Sequence, residues 1–289
     1  MKITGFTFIR NAIKYDYPIV ESIKSILPIC DDFVVAVGDS EDKTLELIQA
    51  IAPEKIKIIQ TTWDDSLREG GRVLAVETDK AFQAISEDSD WAFYIQGDEV
   101  IHEKYHRTIL EEMKKWKDDS KVDALLFKYL HFYGSYDYIG ISPKWYAYEI
   151  RVVKNNKKIY SYRDAQGFRK NNNEKLNVKL IDAYVYHYGW VKEPSAMQRK
   201  QEDFNKLWHK QEWIDKNIIK ADAFDYSNID ALEKFEGTHP KVMQDRIEAT
   251  NWKFEYDMSF NKLSLKNKFK LALKKYTGIH LAYKNYIKI

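Results

Sequence analysis

The sequence predicts an α/β protein: a mostly parallel sheet flanked by helices, followed by a helical C-terminal extension. Three observations lead there. Over residues 3–95, apolar runs of strand length alternate with stretches whose apolar residues recur at helical spacing. The runs are continuous and rich in β-branched residues, as in strands buried on both faces. After Trp190 the strand-like runs stop and helical spacing takes over.

Residues 3–9 read as a first strand, and Ile19, Ile23 and Ile26 or Leu27 mark the inner face of the helix that follows, which Pro28 ends. The run 33–37 is a second strand opening into the acidic turn Gly38-Asp39-Ser40-Glu41-Asp42, and the helix 44–51 stops ahead of Pro53. Residues 55–60, 71–85 and 91–95 complete the succession as strand, helix, strand. Such alternation implies crossover helices and a parallel sheet, and parallel sheets bind ligands beyond the carboxyl ends of their strands. A helix over 103–116 and a strand over 124–129 continue the core. Aromatic-rich loops (131–148), a Lys-rich turn (155–158) and a strand-like run (182–188) come next.

These boundaries divide the chain into residues 1–190, with a ligand-binding half (1–103) and a second half (104–190), and a helical region, 191–289. In the latter, the segment 195–216 brings Phe204, Leu207, Trp208 and Ile214 near one face. The tail 261–289 has eight Lys and no Asp or Glu, with Leu265, Phe269, Leu273 and Tyr276 at three- or four-residue steps. That is a basic amphipathic helix, and an anionic membrane surface is its expected partner.

With 46 basic against 44 acidic residues, no overall field recruits nucleic acid. The lone Cys30 excludes a disulfide framework and a cysteine-based zinc site. No run approaches the ~20 apolar residues that span a bilayer, and the opening MKITGFTFIRN has no secretory apolar core. The expected compartment is the cytoplasm, with any membrane contact peripheral. The 20 Tyr and 8 Trp exceed what a core needs and suit flat walls for sugar rings.

The fourth strand ends Tyr94-Ile95-Gln96-Gly97-Asp98-Glu99, so two carboxylates emerge where a parallel sheet presents its ligand loops. A hard divalent cation held by one or two carboxylates and phosphate oxygens is the usual means of neutralising a nucleoside-diphosphate leaving group, which makes Asp98 the candidate ligand.

With Phe8-Ile9-Arg10-Asn11 closing the first strand, Val37-Gly38-Asp39-Ser40-Glu41-Asp42-Lys43-Thr44 following the second and Gln96-Gly97-Asp98-Glu99 the fourth, the chain resembles the family 2 glycosyltransferases of the GT-A (Rossmann-like) fold. The resemblance spans residues 3–190 and is strongest up to 103. It implies a nucleotide-sugar donor, a divalent ion (Mn²⁺ or Mg²⁺) and a glycan or lipid-linked acceptor, as in bacterial surface polysaccharide synthesis. Arg10 and Asn11 then border the nucleoside, and Asp39 or a neighbour reaches the base from a turn one residue shorter than the family's, with Asp42 capping the next helix. Gln96 and Gly97 stand at the donor ribose, Gln96 replacing the acidic residue usual there. Arg72, behind the flexible Gly70-Gly71, contacts the donor.

Asp98 is kept at the metal position, and His187, in Tyr186-His187-Tyr188-Gly189-Trp190, resembles the histidine that completes the metal shell. Inverting transfer needs a general base; Asp164 corresponds to the family's acidic loop, and Glu149 is the alternative unless it pairs with Arg151 or Arg163. Trp145, Tyr146 and Trp190 are candidates to stack on a sugar. The loop 235–240 is expected to face the acceptor. Competing readings are a nucleotidyltransferase, which would want a glycine-rich loop after the first strand, and a non-catalytic sugar-nucleotide-binding protein.

Overall fold

The structure is a computed structural model that describes residues 1–67, 69–209, 211–217, 221–259, 262–277 and 284–289. Arg68, one of the arginines beside the Gly70-Gly71 turn, lies outside them.

The first half is the expected succession: β1 (Ile3–Ile9), α1 (Ile19–Ile26), β2 (Asp32–Gly38), α2 (Thr44–Gln49), β3 (Ile56–Thr61), α3 (Arg72–Gln83) and β4 (Trp91–Tyr94). Strands β3, β2, β1 and β4 lie side by side and run parallel. Their continuous apolar runs have a direct cause. Phe33, Val35 and Val37 of β2 and Trp91 and Phe93 of β4 pack toward α1, α2 and α4, whereas Val34, Ala36, Ala92 and Tyr94 pack toward α3. Both faces are covered, so neither set can be polar.

The chain continues through β5 (Glu99–Ile101), α4 (His106–Trp116), β6 (Ala124–Tyr133), β7 (Ser135–Gly140), β8 (Tyr148–Lys154), β9 (Ile159–Tyr162), β10 (Gly167–Lys170) and β11 (Glu174–Trp190). These extend the sheet in the order β4-β8-β6-β11-β10-β9, with β8 antiparallel to both β4 and β6. The sheet is therefore parallel on its N-terminal side and mixed beyond it. Strand β11 runs parallel to β6 along most of its length and antiparallel to β5 at His187↔Glu99, with a register shift between His187 and Trp190. Bulges of this kind re-aim side chains next to sites.

Residues 191–289 contain α5 (Pro194–Phe204), α6 (Gln211–Asn217), β12 (Leu232–Lys234), α7 (Gln244–Glu248), α8 (Leu265–Thr277) and β13 (Tyr286–Lys288). The two short strands were not foreseen: β12 borders β7, and β13 joins the start of β11 in parallel, Leu176 beside Tyr286. Three residues are too few for a period to show. Of the tail 261–289, expected to be one helix, Leu265–Thr277 is helical with Leu265, Phe269 and Tyr276 exposed, whereas Tyr286–Lys288 is a strand. Among the described residues no helix is long and apolar enough to cross a membrane.

Candidate active site

A cavity of about 650 Å³ opens beyond the carboxyl ends of β1 and β4, where a parallel sheet is expected to bind. Its walls bring together Arg10, Asn11, Gln96, Gly97, Asp98, Tyr146, Asp164, His187 and Trp190, nine of the residues singled out from sequence. Asp39, Arg72, Glu149 and Trp145 are not on its wall.

Asp98 leaves the sheet just before β5. Its carbonyl accepts from the Tyr188 N–H at 2.8 Å, which fixes it against β11, and Oδ1 stands 3.8 Å from Nε2 of His187. A chain of hydrogen bonds sets the histidine's tautomer. Nε2 of His131 lies 2.7 Å from the Tyr146 carbonyl, which can only accept, so His131 carries its proton there and its Nδ1 is an acceptor. Nδ1 of His187, 3.2 Å away, donates to it. Burial holds both imidazoles below their ordinary value, hence neutral at pH 7. The Nε2 lone pair of His187 thus faces the Asp98 carboxylate.

Two such groups 3.8 Å apart could hold one metal ion between them, with the outward nitrogen of His187 oriented by a partner as in metal-binding histidines. The mixed oxygen and imidazole set suits Mn²⁺ better than the harder Mg²⁺. Among the described residues no cluster of three or more His, Cys, Asp or Glu is placed to hold a metal, so the remaining ligands would be phosphate oxygens and water. Gly189 makes the approach possible: a Cβ there would lie 2.6 Å from His187 Nε2 and 2.7 Å from Asp98 Oδ2.

Oδ2 of Asp98 is 3.3 Å from the ammonium of Lys200, on α5, which also donates to the Gly189 carbonyl at 3.1 Å. Burial pushes the Asp98 carboxyl up, but the ammonium of Lys200 foremost, with that of Lys192, more than offsets it and holds the group at about 2. Asp98 is an anion at any working pH. Sequence reasoning missed Lys200; the available signal was a lysine in the inward stripe Ala196, Met197, Lys200 of an amphipathic helix.

Asp164 sits on the loop between β9 and β10, between Arg163 and Ala165, which have φ of 58° and 63°. Two further contacts hold the loop. Nε2 of Gln96 donates to the Ala165 carbonyl at 3.2 Å and to the Tyr94 hydroxyl at 3.3 Å, and Arg151 donates to the Gln166 carbonyl at 3.3 Å. Burial raises the Asp164 carboxyl above its ordinary value, the direction that suits a general base near neutral pH. Gly71 (φ 69°) explains part of the glycine pair: a Cβ would fall 2.9 Å from Asp164 Cβ and 2.8 Å from the Trp208 ring. That close approach is to protein side chains. Arg72, the first residue of α3, is exposed.

Glu149 is 4% exposed on β8, where burial pushes its carboxyl up to about 8. Arg151 does not pair with it. The guanidinium makes a bidentate bridge to Glu99, both bonds 2.7 Å, in a wholly buried position, and Tyr129 donates to the same carboxylate.

On the nucleoside side the loops after β1 and β2 are laced together. Asn11, at φ 55°, donates from its N–H to the Ser40 hydroxyl and accepts from the Glu41 N–H at 2.7 Å. Asp42 accepts from the Thr44 N–H at 3.0 Å at the start of α2. Arg10 bonds the Asp39 carbonyl (3.0 Å) and Asp65 (2.9 Å) and lies over the Trp63 ring; Asp39 accepts from the Trp63 N–H. Trp63 and Phe8, ring centroids 5.8 Å apart, give this end an apolar wall. Trp190 stacks on Tyr133, whereas Trp145 stacks on His131 and lines a separate, small cavity with Lys270 and Leu271 of α8. In the 235–240 loop, His239 is held by the Tyr188 hydroxyl and the Tyr136 carbonyl, and Thr238 by His102, away from the main cavity.

No protein-family model matches the chain, and no curated protein does. Among solved structures it is similar to TarS from S. aureus, at 15% identity over 70% of this chain and a TM-score of 0.39; the chain spans 38% of that protein's length. A 1–349 form of TarS in complex with UDP gives 14% identity, 77% and 68% coverage and a TM-score of 0.39. Glucosyl-3-phosphoglycerate synthase from Mycobacterium tuberculosis, solved with Mn²⁺, UDP and phosphoglyceric acid, gives 19%, 45% and 43%, and 0.30. TarS and the synthase are GT-A type glycosyltransferases. Likeness this low carries no functional argument, and what the chain does has to come from its own residues.

Proposed function

We propose that the chain is a nucleotide-sugar glycosyltransferase that inverts the sugar it moves, passing it from a nucleoside-diphosphate donor to a glycan or lipid-linked acceptor in a bacterial surface polysaccharide. The observation that carries this is the facing of the Asp98 carboxylate and the His187 lone pair, 3.8 Å apart, on the wall of a cavity that Asp164 also lines. One anion and one neutral nitrogen bind a cation, and a cation beside a cavity of this size is suited to a diphosphate.

In this reading Asp98 and His187 hold Mn²⁺ or Mg²⁺, which when bound supplies the charge that stabilises the departing diphosphate. Arg10, Asn11 and Asp39, with the Trp63 wall, take the nucleoside, and Gln96 and Gly97 border its ribose. Arg72, exposed at the start of α3, is left to reach the donor from outside the cavity. The acceptor hydroxyl attacks the anomeric carbon, the bond from that carbon to the diphosphate oxygen breaks, and Asp164 takes the hydroxyl proton. Trp190 and Tyr146 offer ring faces to a sugar. Helix α8, basic and with its apolar residues exposed, would dock on the anionic inner surface of the cell membrane and bring the site to a lipid-linked acceptor.

The test is hydrolysis or transfer from a panel of nucleotide sugars with Mn²⁺ and with EDTA, on the wild type and Asp98→Asn. Turnover that EDTA and Asp98→Asn both abolish is expected. Turnover indifferent to both would refute the metal assignment, and donor binding without turnover would make this a sugar-nucleotide-binding protein.

A further inference from the structure

The cations on the cavity wall are not equivalent. Arg10 is paired with Asp65 (2.9 Å), Lys14 with Glu41 (2.8 Å), Arg151 with Glu99 (2.7 Å) and Lys206 with Asp203 (2.5 Å). Each of these carboxylates is separate from the candidate metal pair. Lys200 is different. It is 9% exposed, its ammonium lies 4.8 Å from the Tyr17 ring centroid, and the carboxylate it faces is Asp98.

The two oxygens of Asp98 point to different partners: Oδ1 toward Nε2 of His187 and Oδ2 toward Nζ of Lys200. A metal ion spanning Asp98 and His187 would therefore leave the Lys200 contact geometrically intact. Its electrostatics would change, because the charge of Asp98 would then be shared with a divalent ion. The ammonium, held at the wall by the Gly189 carbonyl at 3.1 Å, would then be less fully compensated beside whatever the metal binds. A divalent ion, the Asp98 carboxylate and the Lys200 ammonium would together present two net positive charges to the cavity, which match a diphosphate.

We propose that Lys200 is a diphosphate-binding residue, a fixed second cation that grips the donor's phosphates next to the metal held by Asp98 and His187. This rests on the metal reading given above, and it assigns a donor role to α5, a segment to which sequence reasoning assigned no ligand. The alternative for a buried lysine in this place is that it serves only to neutralise Asp98 and keep the loop folded.

The experiment measures two affinities on the full chain: Mn²⁺ alone, by electron paramagnetic resonance, and inorganic pyrophosphate, by calorimetry with saturating Mn²⁺ and again in EDTA. Removing a charge-assisted hydrogen bond should weaken pyrophosphate about tenfold in Lys200→Met, while Mn²⁺ alone binds more tightly because a neighbouring positive charge is gone. Opposite shifts of the two ligands are the signature. Lys200→Gln, which can still donate to the Gly189 carbonyl, serves if the Met variant does not fold. Pyrophosphate affinity equal to wild type in these variants overturns the proposal, and so does a parallel loss of both ligands, which would mean that the lysine only shapes Asp98. Asp98→Asn separates the two claims: if it binds Mn²⁺ as the wild type does, the metal reading fails, and the pyrophosphate measurement in EDTA still reads the lysine.

Discussion

Glu149→Gln separates the two acidic residues that could serve as the base. Burial on β8 puts the Glu149 carboxyl at about 8, with Glu99 and Asp164 adding to the shift and Arg151 opposing it. At pH 7 the side chain then keeps its proton and cannot accept another. In the unfolded chain the same group ionises near 4.5, so between pH 4.5 and 8 the native state binds more protons than the unfolded one and stability falls as pH rises. At 1.36 kcal/mol per pH unit the loss across that window is at most about 5 kcal/mol. Glutamine is isosteric with the protonated acid and has nothing to ionise. Urea unfolding at pH 5, 7 and 9 should show the variant close to wild type at pH 5 and progressively more stable above it, with turnover at pH 7 little changed. The reasoning is refuted if the two proteins keep the same stability difference at all three pH values, or if turnover drops ~10²-fold as for loss of a general base. Glu149 would then be the ionised base, and Asp164 would lose the role.

Asp164→Asn should lower kcat by roughly 10²-fold or more with donor affinity nearly intact, read by steady-state kinetics with a nucleotide-sugar donor. Gly189→Ala forces a methyl against His187 Nε2 and Asp98 Oδ2, and should lose Mn²⁺ binding while costing about 1–3 kcal/mol in urea unfolding. Arg151→Met leaves Glu99 buried without its bidentate partner and should destabilise by about 3–5 kcal/mol in the same assay. For α8, Leu265→Glu with Phe269→Glu should abolish salt-sensitive pelleting with anionic vesicles. Ending the chain at Phe260 would be a poorer test, since it also removes β13 from the edge of β11.

The parallel half of the sheet was legible because its strands are buried on both faces and therefore read as unbroken apolar runs. Beyond β5 the strands are irregular or broken by register shifts, as at Leu180/Tyr184 of β11 against β6, so only the stretches 124–129 and 182–188 of β6 and β11 could be read. Asp98 was visible because an acidic pair directly after a buried strand has its position fixed by the strand. Lys200 and the Glu99–Arg151 bridge were not, since each depends on which elements meet: α5 against the β4–β5 turn, and β8 against β5. A lysine within a helix carries no mark of the carboxylate it will face 102 residues away. The histidine chain was half legible: His187 stood out in its aromatic segment, but its proton is set by His131 and a carbonyl from another loop.

Gln96 shows how a departure from a familiar motif becomes structural. Its amide nitrogen donates to the Ala165 carbonyl and the Tyr94 hydroxyl, so the end of β4 and the loop bearing Asp164 are pinned by one side chain. A carboxylate at this position could not make the first of those bonds, because both groups would be acceptors. With an acidic residue at position 96 the loop 163–166 would lose this anchor and depend on the Arg151 bond to the Gln166 carbonyl. Position 96 and the loop are in that sense one mechanical unit, and grafting the acidic residue alone would loosen the loop that carries Asp164.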